Sequence, residues 1–365
     1  MAVWTKYAPR HLRYAAAAIL ALGLAGFLFA WSGVYNVGAT SGHWRLVEWA
    51  LAFGMRNSVE TRALAITSTP AFNDDMVRLG AAHFDLGCAP CHGAPGRPPN
   101  PIAQSMMPNA PELTGSADRW KDRELFWIVK HGIKYTGMPS WVSQNRDDEV
   151  WMLVAFLKKL PALDAASYAA LGRRSEQDPP AISDAQWLAR WRCAGCHGDD
   201  GSGITSNLVP RLNGQRVEFL DHALRAYAKG TRESGIMQPI ASDLKDFEIK
   251  ALATYYASLS STRDAVAEGP AAGRTLALEG APDAGIPACI SCHSDQALPI
   301  YPRLAGQSNA YLMAQLRLWK KGFTPADGSG AIMAPIAQRL TEQQIEDVSS
   351  YFAAQPGPSG SGRPQ

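Results

Sequence analysis

The apolar and polar positions of this chain fall into blocks. Residues 14–31 carry no charged side chain, and Lys6, Arg10 and Arg13 precede them. Eighteen helical residues span about 27 Å, enough to cross a hydrocarbon core, so this block predicts a membrane-spanning helix. Trp31 and Tyr35 stand where an interfacial aromatic belt would lie. A cleaved signal peptide competes with this reading, but cleavage near Ala30-Trp31-Ser32 would use a poor small-x-small site. Residues 41–56 mix Trp44, Trp49 and Phe53 with Arg45 and Arg56. They read either as a helix lying on the membrane surface or docking on a partner subunit, or as one packing on the unit that follows.

Helical periodicity then recurs. One helix carries Gly80 and Phe84 on one face, and another covers 124–131. A third runs from Asp147 to Leu160, with Val150, Leu153, Val154 and Leu157 at helical spacing and Pro161 ending it. Two further closing helices contain Glu248-Ile249…Tyr255-Tyr256 and Gln344-Ile345…Tyr351-Phe352. Their units repeat each other. Pro210-Arg211-Leu212-Asn213-Gly214-Gln215 matches Pro302-Arg303-Leu304-Ala305-Gly306-Gln307, and Ile236-Met237-Gln238-Pro239-Ile240-Ala241 matches Ile332-Met333-Ala334-Pro335-Ile336-Ala337. Residues 162–182 and 261–272 read as linkers, and 356–365 has a disordered composition. The expected plan is 1–40 basic segment and anchor, 41–70 aromatic juxtamembrane segment, and units at 71–161, 183–260 and 273–355.

Composition sharpens this plan. The formal charge is +2, with the positive excess in residues 1–70, so nothing points to nucleic acid. Units of about 80–100 residues are small for a self-sufficient core, so each is expected to be built round a prosthetic group.

The cysteines name that group. All six lie in three pentapeptides: Cys88-Ala89-Pro90-Cys91-His92, Cys193-Ala194-Gly195-Cys196-His197 and Cys289-Ile290-Ser291-Cys292-His293. Cys-x-x-Cys-His is the attachment signal of c-type haem: two thiols add across the vinyl groups as thioethers, and the histidine falls under the iron. Zinc would need four ligands, usually from pairs close in sequence, whereas these pairs stand about a hundred residues apart. A redox dithiol would need a βαβ setting, and disulfides within each pair would close tiny loops. Three covalently bound haem c groups are therefore expected, held by Cys88, Cys91, Cys193, Cys196, Cys289 and Cys292, with His92, His197 and His293 as proximal ligands.

The second axial ligands are expected to be Met138, Met237 and Met333. They follow their histidines by 46, 40 and 40 residues in Pro-flanked stretches read as irregular. A thioether favours ferrous iron and raises the potential. Met106 and Met107 are alternatives in the first unit. A carbonyl of Pro111, Pro210 or Pro302 is expected to accept a hydrogen bond from each haem histidine's other nitrogen. His11, His43, His83, His131 and His222 read as surface or packing residues.

These residues carry a resemblance. Each unit resembles a class I cytochrome c: N-terminal helix, Cys-x-x-Cys-His, distal Met loop and C-terminal aromatic helix. Residues 183–355 resemble the di-haem cytochrome c4 family through the Pro-Arg-Leu-x-Gly-Gln and Ile-Met-x-Pro-Ile-Ala phrases. Residues 71–161, with Gly137-Met138-Pro139-Ser140-Trp141, resemble the single-haem domains of dehydrogenase cytochrome subunits. The resemblance implies an all-α fold, three tandem class I cytochrome c domains after the N-terminal transmembrane helix, and His/Met haems that transfer electrons. The expected protein is an electron carrier or electron-transfer subunit rather than an enzyme. It would sit on the inner membrane with its haem domains in the periplasm, between a dehydrogenase and an acceptor such as a haem-copper oxidase. The alternative is a haem enzyme or a gas or redox sensor with one open iron, in the first unit.

Overall fold

The structure, a computed structural model, describes residues 10–171, 184–203, 205–260 and 269–357. Lys6, linker residues 172–182 and 261–268, and the tail from 358 lie outside the described residues. Among the described residues the chain is helical, with two isolated β-bridges and no strand.

Helix α1 covers Arg10–Trp31 and buries none of its side chains. Its apolar window has a mean hydropathy of 1.9, so it is long and apolar enough to cross a membrane. Tyr35 turns the chain, packing edge-on against Trp44 and meeting His43 through its hydroxyl. Helix α2 (Arg45–Ala63) then divides its surface. Val59 and Ala63 are buried, and Arg56 lies 5.0 Å over the Trp120 ring, while Trp49 and Phe53 stay exposed and stack on each other. The C-terminal half of α2 thus packs on the unit that follows, as one of the readings of this segment expected.

The first unit contains α3 (Asp74–Gly87), the short turns α4 (Ala89–His92) and α5 (Pro101–Gln104), α6 (Asp122–His131) and α7 (Asp147–Lys159). Asn73 caps α3 by accepting from the Met76 amide. Helix α3 crosses α7 at Gly80, where a Cβ would stand 2.2 Å from the Met152 carbonyl oxygen. Only glycine allows that approach, and it brings Phe84 and Phe156, both fully buried, to 5.0 Å between ring centres. Helix α7 ends at Lys159 and runs into a 3-10 turn at Leu160–Ala162. The segment read as a linker begins differently than expected: Ala165–Leu171 forms helix α8, and Leu163, Tyr168 and Leu171 pack on the first unit's core. The Tyr168 hydroxyl donates to Asp85 of α3 at 2.9 Å.

The second unit contains α9 (Asp184–Arg192), α10 (Ala194–His197), α11 (Val217–Ala228), α12 (Met237–Ser242) and α13 (Asp246–Ser258). The third repeats it as α14 (Ala271–Glu279), α15 (Ile290–His293), α16 (Asn309–Lys320), α17 (Ser329–Arg339) and α18 (Glu342–Ala354). Here α14 crosses α18 at Gly273, where a Cβ would meet the Asp347 carbonyl oxygen at 2.1 Å. Leu276, Ile345 and Phe352 bury their side chains beside that crossing.

Units two and three meet through the repeated phrase itself. Gln215 and Gln307 each bond the backbone of the other unit, and Arg216 donates to the carbonyls of Ser294, Leu298 and Tyr301. Unit one joins unit two at two places. Asp75 of α3 accepts from the Asn207 amide at 2.9 Å, and the loop after Met138 packs on the turn before Met237.

Candidate haem sites

Each pentapeptide closes one helical turn. The His92, His197 and His293 amides donate to the carbonyls of Cys88, Cys193 and Cys289 at 3.0, 2.9 and 3.0 Å. That turn puts the first cysteine, the second cysteine and the histidine on one side of the backbone, because residues three and four apart share a helix face. No two of the six cysteines are joined in a disulfide, as thioether formation requires. Burial pushes the Cys88 and Cys193 thiols up to about 12 and Cys289 to about 11, so they stand neutral. Among the described residues no group of three or more His, Cys, Asp or Glu side chains is arranged to hold a metal ion.

The histidines share a second feature. Nδ1 of His92 lies 2.8 Å from the Pro111 carbonyl oxygen, Nδ1 of His197 lies 3.0 Å from that of Pro210, and Nδ1 of His293 lies 2.9 Å from that of Pro302. A carbonyl only accepts, so each Nδ1 carries the proton and each Nε2 is left as a lone-pair donor. These are the carbonyls expected from the sequence. Burial lowers the pKa of His197 and His293, which keeps both rings neutral as iron ligation requires. Two thiols and a tautomer-fixed imidazole on one turn fit covalent haem.

The three methionines are all half-buried, but their settings differ from the expectation. Met138 does lie in a loop. That loop folds back on Gly132, whose φ of +63° puts it against the Met138 and Pro139 backbone, and Thr136 Oγ1 accepts from the Met138 amide at 3.1 Å. Met106 packs over Gly137, beside Met138 and on its own strand of chain. Met237, by contrast, opens helix α12, and Met333 lies inside α17, which also contains Pro335. Proline is tolerated in a first helical turn, so Pro239, the third residue of α12, does not break it. In α17, Pro335 removes one hydrogen bond without ending the helix.

Among the other histidines, His83 is the packing residue expected: it meets the Trp141 ring edge-on at 4.9 Å, and burial alone holds its pKa down to about 4. His131, next to the Met138 loop, packs on Trp127. Two groups escaped sequence reasoning. Gln215 and Gln307 had a signal, since they end the repeated phrase. Glu149 had none: it stands in the first turn of α7 among Asp147 and Asp148, where acids are ordinary helix-start residues, yet it is buried against unit two.

Known proteins resemble parts of the chain. The family described as cytochrome c oxidase, cbb3-type, subunit III matches residues 75–157 and 181–255. A thiosulfate dehydrogenase electron acceptor of Thiomonas intermedia is 40% identical over 171 residues, covering 45% of this chain and 78% of that one. Its counterpart in Stutzerimonas stutzeri is 36% identical, covering 45% and 79%. A cytochrome c4 of Thiocapsa roseopersicina is 34% identical, covering 44% and 85%. With its helical fold and its Cys-x-x-Cys-His turns, the chain belongs to the c-type cytochromes, among the relatives of cytochrome c4 that bind haem covalently and transfer electrons.

Proposed function

We propose that the chain is a membrane-anchored tri-haem electron carrier. It takes electrons from a dehydrogenase and passes them to a respiratory acceptor such as a haem-copper oxidase. Cys88 and Cys91, Cys193 and Cys196, and Cys289 and Cys292 tether the three haems. His92 with Met138, His197 with Met237, and His293 with Met333 complete the iron coordination. Haem c supplies a one-electron ferric–ferrous couple. The proline carbonyls hold the imidazoles in one tautomer and orientation, and the thioethers favour the ferrous state. The observation that carries this reading is the same histidine-to-proline hydrogen bond in all three units. The third unit, which the family profile leaves unmatched, has it too.

The donor side of the reading draws on the relatives that are thiosulfate dehydrogenase electron acceptors. Helix α1 would anchor the chain in the inner membrane with the exposed aromatic half of α2 at the surface, leaving the haem units in the periplasm. The test is ligand binding to the reduced protein. Six-coordinate irons in all three units predict no carbon monoxide uptake and a far-red thioether band at three-haem intensity in the ferric spectrum. Stoichiometric carbon monoxide binding at any haem would point instead to an enzyme or gas sensor.

A further inference from the structure

Units two and three repeat the phrase that carries their methionines, but they hold it differently. In unit three the turn before Met333 is fixed from within: Asp327 accepts from the amide and the hydroxyl of Ser329. In unit two the equivalent turn, Glu233-Ser234-Gly235, is fixed by unit one. Glu149 of α7 is 3% exposed and accepts from the Ser234 hydroxyl at 2.6 Å and from the Gly235 amide at 2.6 Å. The Ser234 oxygen in turn accepts from the Met237 amide at 3.0 Å. Glu149 thus reaches the Met237 backbone through a single hydroxyl.

The surroundings of this carboxylate are built for it. Arg146 pairs with it at 2.9 Å and also donates to the Glu233 carbonyl at 3.0 Å, and the Trp141 indole N–H stands 3.4 Å away. Each group that hydrogen-bonds to it donates; burial and the neighbouring Asp148 carboxylate raise its pKa, and the Arg146 guanidinium and the donors on the unit-two turn oppose that shift. The Trp141 indole packs against Gly235, where a Cβ would stand 2.0 Å from Nε1, so a side chain there would expel the ring. Ile236 reaches into the core of unit one. Trp141 itself follows Met138 by three residues, so the distal loops of the first two units are in contact.

We infer that Glu149, with Trp141, is a positioning residue for the second haem: unit one holds the Ser234–Met237 turn of unit two and so sets how firmly Met237 ligates. This rests on the assignment of Met237 as a ligand. A buried carboxylate accepting two short hydrogen bonds from one turn is costly to remove, because the donors it leaves behind are desolvated. A loosened thioether ligates less well and lowers the potential of its haem. Unit three, held by its own Asp327, and unit one, whose Met138 loop is closed by Gly132, should be unaffected.

The experiment uses the full-length haem-loaded protein. It reads the ligand-methionine methyl resonances of the ferrous state, one per site, together with a potentiometric titration resolving the three haems. Met237→Ala identifies which resonance and which potential belong to the second haem. Glu149→Ala is then expected to broaden or abolish that same resonance and to lower that same potential, leaving the other two in place. Glu149→Gln, which keeps one accepting oxygen, should fall between. Ser234→Ala removes the relay from the other side of the contact with little risk to folding, and should act on the same haem. A lower melting temperature with all three potentials unchanged in Glu149→Ala and Ser234→Ala would overturn the inference while leaving Met237 a ligand. If Met237→Ala itself alters no haem, the ligand assignment fails and the inference with it.

Discussion

Gln215 and Gln307 do the same thing to each other's units. Gln215 Oε1 accepts from the Arg303 amide at 3.0 Å and its Nε2 donates to the Arg303 carbonyl at 2.7 Å; Gln307 does so with Arg211 at 2.8 and 3.1 Å. Both side chains are about one-twentieth exposed. A side-chain amide is the one group that satisfies a backbone N–H and C=O together, and here the same residue does it on both sides of a pseudo-twofold boundary.

Each glutamine therefore makes two part-buried hydrogen bonds across the boundary, worth roughly 1 kcal/mol apiece. Replacing either by alanine should destabilise the contact between units two and three by about 2 kcal/mol. The double replacement should cost less than the sum, since the first opens the surface that the second would lose. Denaturant titrations of the four chains in a double-mutant cycle measure this. Strict additivity would mean that the two glutamines do not share an interface.

His83 gives the fold a pH dependence. Its pKa is about 4 in the folded chain against roughly 6.5 in an unfolded one. The ring is neutral in the fold, so its contribution is complete above pH 6.5. It is lost as the pH falls toward 4, because only the unfolded chain takes up the proton. The loss is on the order of 3 kcal/mol over that window. Thermal melts of the wild type and of His83→Leu, compared at pH 7 and 4.5, should diverge in favour of the substituted chain at the lower pH. Parallel pH dependence in the two chains would show that His83 is not buried neutral.

The anchor is tested by removal. A chain in which a foreign export signal replaces residues 1–40 should leave the membrane fraction and still carry its haems. The intact chain should stay in the pellet after washing with salt. A native N-terminus beginning near Gly33 would show that α1 is a cleaved signal instead.

The chemistry of this protein was legible where it is local in the chain. The pentapeptides, their histidines and the prolines Pro111, Pro210 and Pro302 lie close together in the chain, and the spacing that thioether attachment and a proximal imidazole demand is visible without a fold. Features that depend on tertiary contact were hidden. Helix α8 has seven residues, too few to persist alone; it forms because Tyr168 finds Asp85 and the first unit's core. Met333 reads as a loop residue because Pro335 follows it, yet packing carries the helix through the proline. Glu149 looks like a helix-start acid, and only the arrival of Ser234 and Gly235 from another unit gives it a different role.

The count of covalent haems tests the account most directly. Intact-mass measurement of the denatured protein, expressed with a haem-attachment system, should show the mass of the polypeptide plus three haems, with Cys91→Ala or Cys292→Ala weakening attachment at one site alone. A mass corresponding to two haems or fewer in the unsubstituted chain would contradict the three-site reading.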